Sequence, residues 1–163
     1  MARKVFFSFH YENDVWRANI VRNSWVTKLN REAVGFVDAA AFESVKRGGD
    51  AAIKKWIDDQ LTGTSVTVVL IGSETSNREY VKYELQKSYE KGNGMLGIYI
   101  HQIKDKNGNI SMKGSNHFGQ VGKTKDAKPL YFSSSYPCYD WITDDGYKNL
   151  GEWIDAAAVK AGR

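Results

Sequence analysis

A single cysteine, Cys138, and only two prolines occur in the 163 residues. One thiol excludes an internal disulfide framework, and its type and context suit packing better than nucleophilic chemistry. The three histidines, His10, His101 and His117, do not stand at metal-ligand spacing with Cys138 or with one another, so no metal is expected. No stretch approaches the roughly 20 apolar residues that a membrane-crossing helix needs. The leading "MARKVFFSFHYEND" has too short an apolar run for a signal peptide, which leads to the expectation of a cytoplasmic protein with no membrane partner. GxGxxG occurs once, at residues 92–97, where it leads from a helical stretch into an apolar run and not from a strand into a helix, so it is no Rossmann dinucleotide fingerprint; GxxxxGK[ST], the Walker phosphate loop, does not occur. Charge of one sign is not concentrated either. The net charge is +4, with Lys and Arg scattered among Asp and Glu, so an anionic small molecule is permitted and a nucleic-acid partner is not expected.

What the chain does have is bulk. Aromatics make up 13% of it, five of them Trp, enough to build one core without disulfides or a structural metal. The length suits a single domain, 1–163. Four near-continuous apolar runs, at 4–9, 33–38, 65–73 and 95–103, read as strands covered on both faces, hence a parallel sheet. Helical spacing lies between them. Residues 14–30 align Val15, Ala18, Val21, Trp25 and Leu29, and residues 50–62 align Ile53, Trp56, Ile57 and Leu61, with Asp50 as N-cap and Gly63 as stop. A third helix opens at "SNRE", where Ser76 and Glu79 have capping-box spacing, and ends at Gly92. A last helix spans about 147–161, and a short fifth strand is expected within 136–142. Such alternation specifies an α/β, flavodoxin-like doubly wound parallel sheet of about five strands with helices on both faces. The segment 104–128 is polar, rich in Gly and Lys, and longer than most connections, so it reads as a functional flap or a mobile polar insertion.

On the third helix, Glu84 falls between Tyr80 and Val81, with Leu85 and Ser88 completing the same apolar arc. A buried unpaired carboxylate is costly. Glu84 therefore either meets a cation at the edge of the arc or faces a cleft kept open for a ligand. Tyr80, one turn earlier on that arc, is either core or cleft wall. A phosphoacceptor receiver domain would need an Asp at the end of the third strand, where "LIGSETS" has none.

"VFFSFHYEND" resembles the first strand and following loop of TIR (Toll/interleukin-1 receptor) domains. "IGSETSNREYVKYEL" resembles their third strand, serine-containing loop and helix, in which an aromatic residue precedes a glutamate by four positions. Tyr80 and Glu84 match that pair, with Tyr where the family commonly has Trp. The resemblance runs from residue 4 to about 103. The whole chain is similar to the standalone bacterial TIR-like proteins of the Thoeris antiphage system, which implies an enzyme that splits NAD and makes a cyclic ADP-ribose-type signal for a separate effector protein.

On that resemblance Glu84 is the catalytic residue. NAD is a substrate, and no cofactor is implied. The bond broken joins a cationic pyridinium to the anomeric carbon, so nicotinamide leaves neutral without a general acid, and one carboxylate suffices where an O-glycosidase ordinarily uses two. Phe7, Ser8, Phe9 and His10, at the carboxyl edge of the first strand, fall where the family's NAD pocket lies, with His10 where many members carry Arg. Lys46 and Arg47, in "FESVKRGGD" (42–50), precede a helix N-terminus and suit a pyrophosphate, or are the solvated charges of a Gly-Gly turn. Ser73 and Thr75 would shape the loop leading to Glu84. The family also implies self-assembly through TIR surfaces and a phage-derived trigger. Two alternatives stand beside this reading: a non-catalytic TIR interaction or adaptor module, and a nucleoside N-glycosyl-bond enzyme such as a deoxyribosyltransferase.

Overall fold

Five parallel strands form the central sheet of the computed structural model, which describes residues 3–35 and 44–163. They are β1 (Arg3–Ser8), β2 (Arg31–Val34), β3 (Val66–Ile71), β4 (Gly94–Tyr99) and β7 (Cys138–Asp140), in the order β2-β1-β3-β4-β7. Every neighbouring pair is parallel. The chain leaves β1 toward β2 on one side and returns to β3 on the other, so the order reverses beside β1. In doubly wound sheets ligands bind at the strand carboxyl ends at such a reversal.

Both faces are buried, which is why the strand sequences are continuous rather than alternating. Val5, Phe7, Val66, Val68, Leu70, Leu96 and Ile98 pack under α1 (Tyr11–Val26) and the C-terminal helix α5 (Gly146–Lys160), meeting Ala18, Val21, Trp25, Leu150 and Ile154. The opposite face carries α2 (Gly49–Leu61) and α3 (Glu79–Lys91). There Phe6 meets Ile57 and Leu61, while Val69, Ile71 and Met95 meet Val81 and Leu85. Adjacent residues of one strand point to opposite faces, so Ser8 shares the α2–α3 side with Phe6.

The helix boundaries differ from the sequence expectation in instructive ways. The first helix begins at Tyr11 rather than 14, since His10 O already accepts the Asp14 N–H at 2.9 Å, and it ends at Val26, leaving Leu29 92% exposed. Asn30 has a positive φ of 63° and its carbonyl accepts Arg3 N–H, so those residues turn the chain into β2 instead. In α2 the N-cap is Gly48, not Asp50; the Asp50 carboxylate accepts the Tyr80 hydroxyl at 3.0 Å and pairs with Lys54 at 3.2 Å. The capping box at Ser76 and Glu79 does not form. Thr75 Oγ1 accepts the Gly72 N–H at 2.8 Å, which folds Thr75–Asn77 into a 3-10 turn, and α3 starts only after Arg78. Gly63 and Gly92 follow the ends of α2 and α3 with φ of 80° and 84°, the left-handed region expected after a helix.

The second strand is shorter than expected, and residues 36–38 of its apolar run lie outside the described residues. Segment 104–128 is more than a polar insertion. Its end forms β5 (Gln120–Lys123), antiparallel to β6 (Pro129–Tyr131), and it buries Phe118 and Val121 against the α3 side of the core. A single turn, α4 (Phe132–Ser135), then leads to β7. Among the described residues no helix is long and apolar enough to cross a membrane.

Candidate active site

A cavity of about 160 Å³ opens at the carboxyl end of β1, between the start of α1, α2 and the first turns of α3. Its apolar wall comes from Phe9, Ile53, Trp56, Ile57 and Val81, and its polar wall from His10, Glu12, Lys46, Arg78, Tyr80 and Glu84. Gly35, just past β2, forms part of the rim with a φ of 94°. A Cβ there would stand 2.4 Å from Phe7 O, so only glycine lets the two strand exits approach so closely.

Glu84 is 7% exposed, and its Oε2 has no hydrogen-bond partner among the described residues. Burial pushes its carboxyl up to about 8. The Ser8 hydroxyl on the strand beneath lies close enough to oppose that rise in part, yet Ser8 Oγ too lacks a partner at full hydrogen-bond geometry. No basic side chain pairs with Glu84 among the described residues. Its backbone, by contrast, is firmly held. Ser88 Oγ bonds to Glu84 O at 2.7 Å and to Thr67 Oγ1 at 2.7 Å, and Asn93 Nδ2 donates on to Thr67 and Thr64. This buried polar chain pins α3 to β3, so the carboxylate is presented from a rigid element.

Tyr80 stands one turn before Glu84 on the same wall, its hydroxyl held by Asp50 across the cleft. His10 is 8% exposed, neither ring nitrogen has a partner among the described residues, and burial, with help from the Arg78 charge, lowers its pKa. Lys46 reaches the wall but is paired with Glu12 at 2.8 Å. The residues singled out in the sequence therefore separate into two groups. Phe7, Phe9, His10, Lys46, Tyr80 and Glu84 line the cavity, although the side chains of Phe7 and Phe9 also belong to the core under α1. Ser8, Arg47 and Ser73 are not on its wall: Ser8 is fully buried beside Glu84, Arg47 is exposed, and Ser73 lies in the half-buried loop after β3.

Sequence reasoning passed over Arg78 and the α2 contribution of Ile53, Trp56 and Ile57. The α2 stripe carried the signal for these three, since an apolar face wider than its helix partner can cover will wall a cleft. Asp14 was also missed. It is 3% exposed, and burial raises its carboxyl to about 6 against the opposing Arg17 charge and the Thr75 hydroxyl. Its carboxylate sits against Gly72, where a Cβ would lie 2.2 Å from Oδ2, and so braces the loop that carries the chain from β3 to α3.

Comparison with known proteins identifies the family. The family profile described as "Thoeris protein ThsB, TIR-like domain" matches residues 6–105, a span that runs from within β1 to beyond β4 and includes every residue lining the cavity. A protein of Bacillus cereus (strain MSX-D12), named "Putative cyclic ADP-D-ribose synthase ThsB1", is 42% identical over 192 aligned positions that cover 95% of this chain and 100% of that protein. With a flavodoxin-like sheet, a cavity at its reversal point and these two matches, the chain belongs to the ThsB family of Thoeris TIR-like proteins.

Proposed function

We propose that this protein cleaves the nicotinamide–ribose bond of NAD and closes the ADP-ribosyl unit into a cyclic ADP-ribose-type signal, which acts through a separate effector in antiphage defence. The observation that carries the reading is Glu84: a buried carboxylate with no cation paired to it among the described residues, on the wall of an open cavity at the sheet's reversal point. An acid whose only task was structural would be paired or hydrogen-bonded. The name of the Bacillus cereus relative supports the same chemistry.

In the free protein burial keeps much of Glu84 protonated near neutral pH. A bound NAD brings a cationic pyridinium and ribose hydroxyl donors to that carboxyl, and both favour its ionised form. The ionised oxygen pair then holds the ribose and stabilises the oxocarbenium-like charge that grows as the C1′–N bond breaks. The bonding electrons leave with nicotinamide, which departs neutral. An oxygen or nitrogen of the adenosine half next attacks C1′ in place of water, and an attacking hydroxyl releases its proton. Phe9, Ile53, Trp56 and Ile57 give the site apolar walls that disfavour water there, which supports ring closure over hydrolysis. Tyr80 supplies an aromatic wall beside the nicotinamide.

The reading extends to self-assembly through TIR surfaces and a phage-derived trigger, so the assay is run with purified protein and in phage-challenged cells. Nicotinamide release and the mass of the nucleotide product are followed for wild type and Glu84→Gln. The expected outcome is a cyclic product from wild type and at least about a hundredfold loss in the variant. Comparable turnover by Glu84→Gln sinks the catalytic assignment, and an exclusively linear product sinks the signalling half.

A further inference from the structure

A second cleft, of about 800 Å³, lies at the opposite end of the sheet from the candidate active site. It wraps around the amino ends of β4 and β7, between the carboxyl-terminal halves of α3 and α5. Tyr136, Tyr139 and Trp153 give it aromatic walls, the last two stacked with ring centroids 4.1 Å apart. Asn93 lines it as well. This side chain is 4% exposed, and its Oδ1 is buried with no hydrogen-bond partner among the described residues. The amide is not free to turn over and find one. Its Nδ2 donates to Thr64 Oγ1 at 2.9 Å and to Thr67 Oγ1 at 3.3 Å. Thr64 gives its own proton to Leu61 O at 2.6 Å. Ser88 gives its proton to Glu84 O, so the 2.7 Å contact between Thr67 and Ser88 must carry the Thr67 proton. With both threonine protons committed, a reversed amide would set its oxygen against two lone pairs. Oδ1 is therefore the end of the amide left for the cleft, an acceptor that costs free energy while it stays unmet.

We propose that this cleft binds an adenine nucleoside, with Asn93 Oδ1 accepting an N–H of the base's exocyclic amine. The site is independent of the NAD reading, since none of its residues lines the catalytic cavity. A neutral, buried acceptor calls for an N–H or O–H donor rather than a full charge. The tyrosine and tryptophan faces suit a flat ring, because a nucleobase presents a π-face to stack. Lys160 is the one charged side chain lining the cleft among the described residues, and it disfavours a cation. The volume exceeds what a single ring fills and lies in the range of roughly 300–1,000 Å³ typical of small-molecule sites. Ser134 and Ser135 bring hydroxyl groups for a sugar. Adenosine combines these demands: a flat uncharged base, an N–H donor on its rim and a hydroxylated ribose. The chain of hydrogen bonds that fixes Asn93 ends on the Glu84 backbone, which places the two sites on one buried polar network.

The test uses the full chain labelled with fluorotryptophan and followed by fluorine NMR. Trp153 lines this cleft and Trp56 lines the catalytic cavity, so their resonances, assigned through Trp153→Phe and Trp56→Phe, report the two sites separately. Adenosine is expected to shift the Trp153 resonance saturably, with half-saturation below about 10 mM. Purine riboside, which lacks the exocyclic amine, is expected to bind there about tenfold more weakly, the worth of one hydrogen bond to a buried acceptor. That comparison needs no variant, so folding does not enter it. Ala156 is exposed and lines the cleft, so Ala156→Phe fills the space from the solvent side. It is expected to abolish the adenosine shift of Trp153 while leaving the melting temperature unchanged. A Trp153 resonance with no saturable shift up to about 10 mM adenosine overturns the site and leaves the NAD reading intact. Equal affinity for adenosine and purine riboside overturns the role of Asn93. A shift that survives Ala156→Phe puts the ligand elsewhere and overturns the site as well.

Discussion

At the scale of single residues the chemistry turns on where a carboxyl finds its proton. Glu84 is pushed up to about 8 by burial, so in the free protein the ionised form, on which the proposed chemistry depends, grows as pH rises. His10, shifted the other way, would titrate in the same assay. With His10→Gln in place, kcat/KM for NAD is therefore expected to climb about tenfold per pH unit below pH 8 and level off above it. A profile flat from pH 6 to 9 would show that the Glu84 proton is not involved. The same residue opposes stability. Its folded pKa lies above the unfolded one, so the folded chain holds an extra proton between about 4.5 and 8, and stability falls as pH rises through that window. Glu84→Gln is accordingly expected to melt at a higher temperature than wild type at pH 8, with little difference at pH 5. Differential scanning fluorimetry reads this directly, and a lower melting point at pH 8 would contradict the burial argument.

At the scale of elements, α3 matters because it is fixed on two sides. Its inner side is tied to β3 through Ser88, Thr67 and Asn93. Its flank is covered by the segment that read as a polar insertion: Phe118 and Val121 join Val81 and Leu85 in one cluster, and Tyr89 donates its hydroxyl to Lys123 O at 2.6 Å. Phe118 also meets Phe132 edge to face at 5.2 Å. Phe118→Ala is expected to cost about 3–5 kcal/mol in urea unfolding, the range for a deleted core aromatic. A cost below about 1 kcal/mol would mean that the segment only rests on the core. The same segment is anchored from the other face, where Arg17 donates to Ile103 O at 2.6 Å and to Asn109 O at 2.9 Å. The segment is thereby tied to α1 as well as to α3, the two helices whose N-terminal ends border the cavity.

At the scale of the whole molecule, two acids are buried on different elements: Glu84 of α3 on the cavity wall and Asp14 of α1 against Gly72 and Thr75, the latter held at about 6. Both have folded pKa values above their unfolded ones, so both make folding less favourable as pH rises, Asp14 between about 4 and 6 and Glu84 up to about 8. Together they are expected to give a stability decline on the order of several kcal/mol between pH 5 and 8. The Asp14→Asn, Glu84→Gln double variant is expected to flatten that decline in denaturant titrations at fixed ionic strength. An unchanged slope would assign the pH dependence to other groups. Glu84, on the cavity wall, carries the larger of the two upward shifts, the pattern expected where function and not stability sets a residue.

The sequence by itself determined the strand–helix alternation, the parallel sheet and the position of Glu84 on an apolar arc. These follow from periodicities of 3.6 and 2 and from the burial of both sheet faces, all of which are local properties of the chain. It also announced the stops at Gly63 and Gly92, because a left-handed residue after a helix favours glycine. Only the tertiary structure decided that Glu84 meets no cation among the described residues, that Lys46 is paired with Glu12, and that Ser76 yields its capping role to a turn closed by Thr75. It alone brought Arg78 to His10 from 68 positions away and turned a polar insertion into a cover for α3. Pairing and desolvation depend on which side chains meet in space, and a linear pattern holds no record of that.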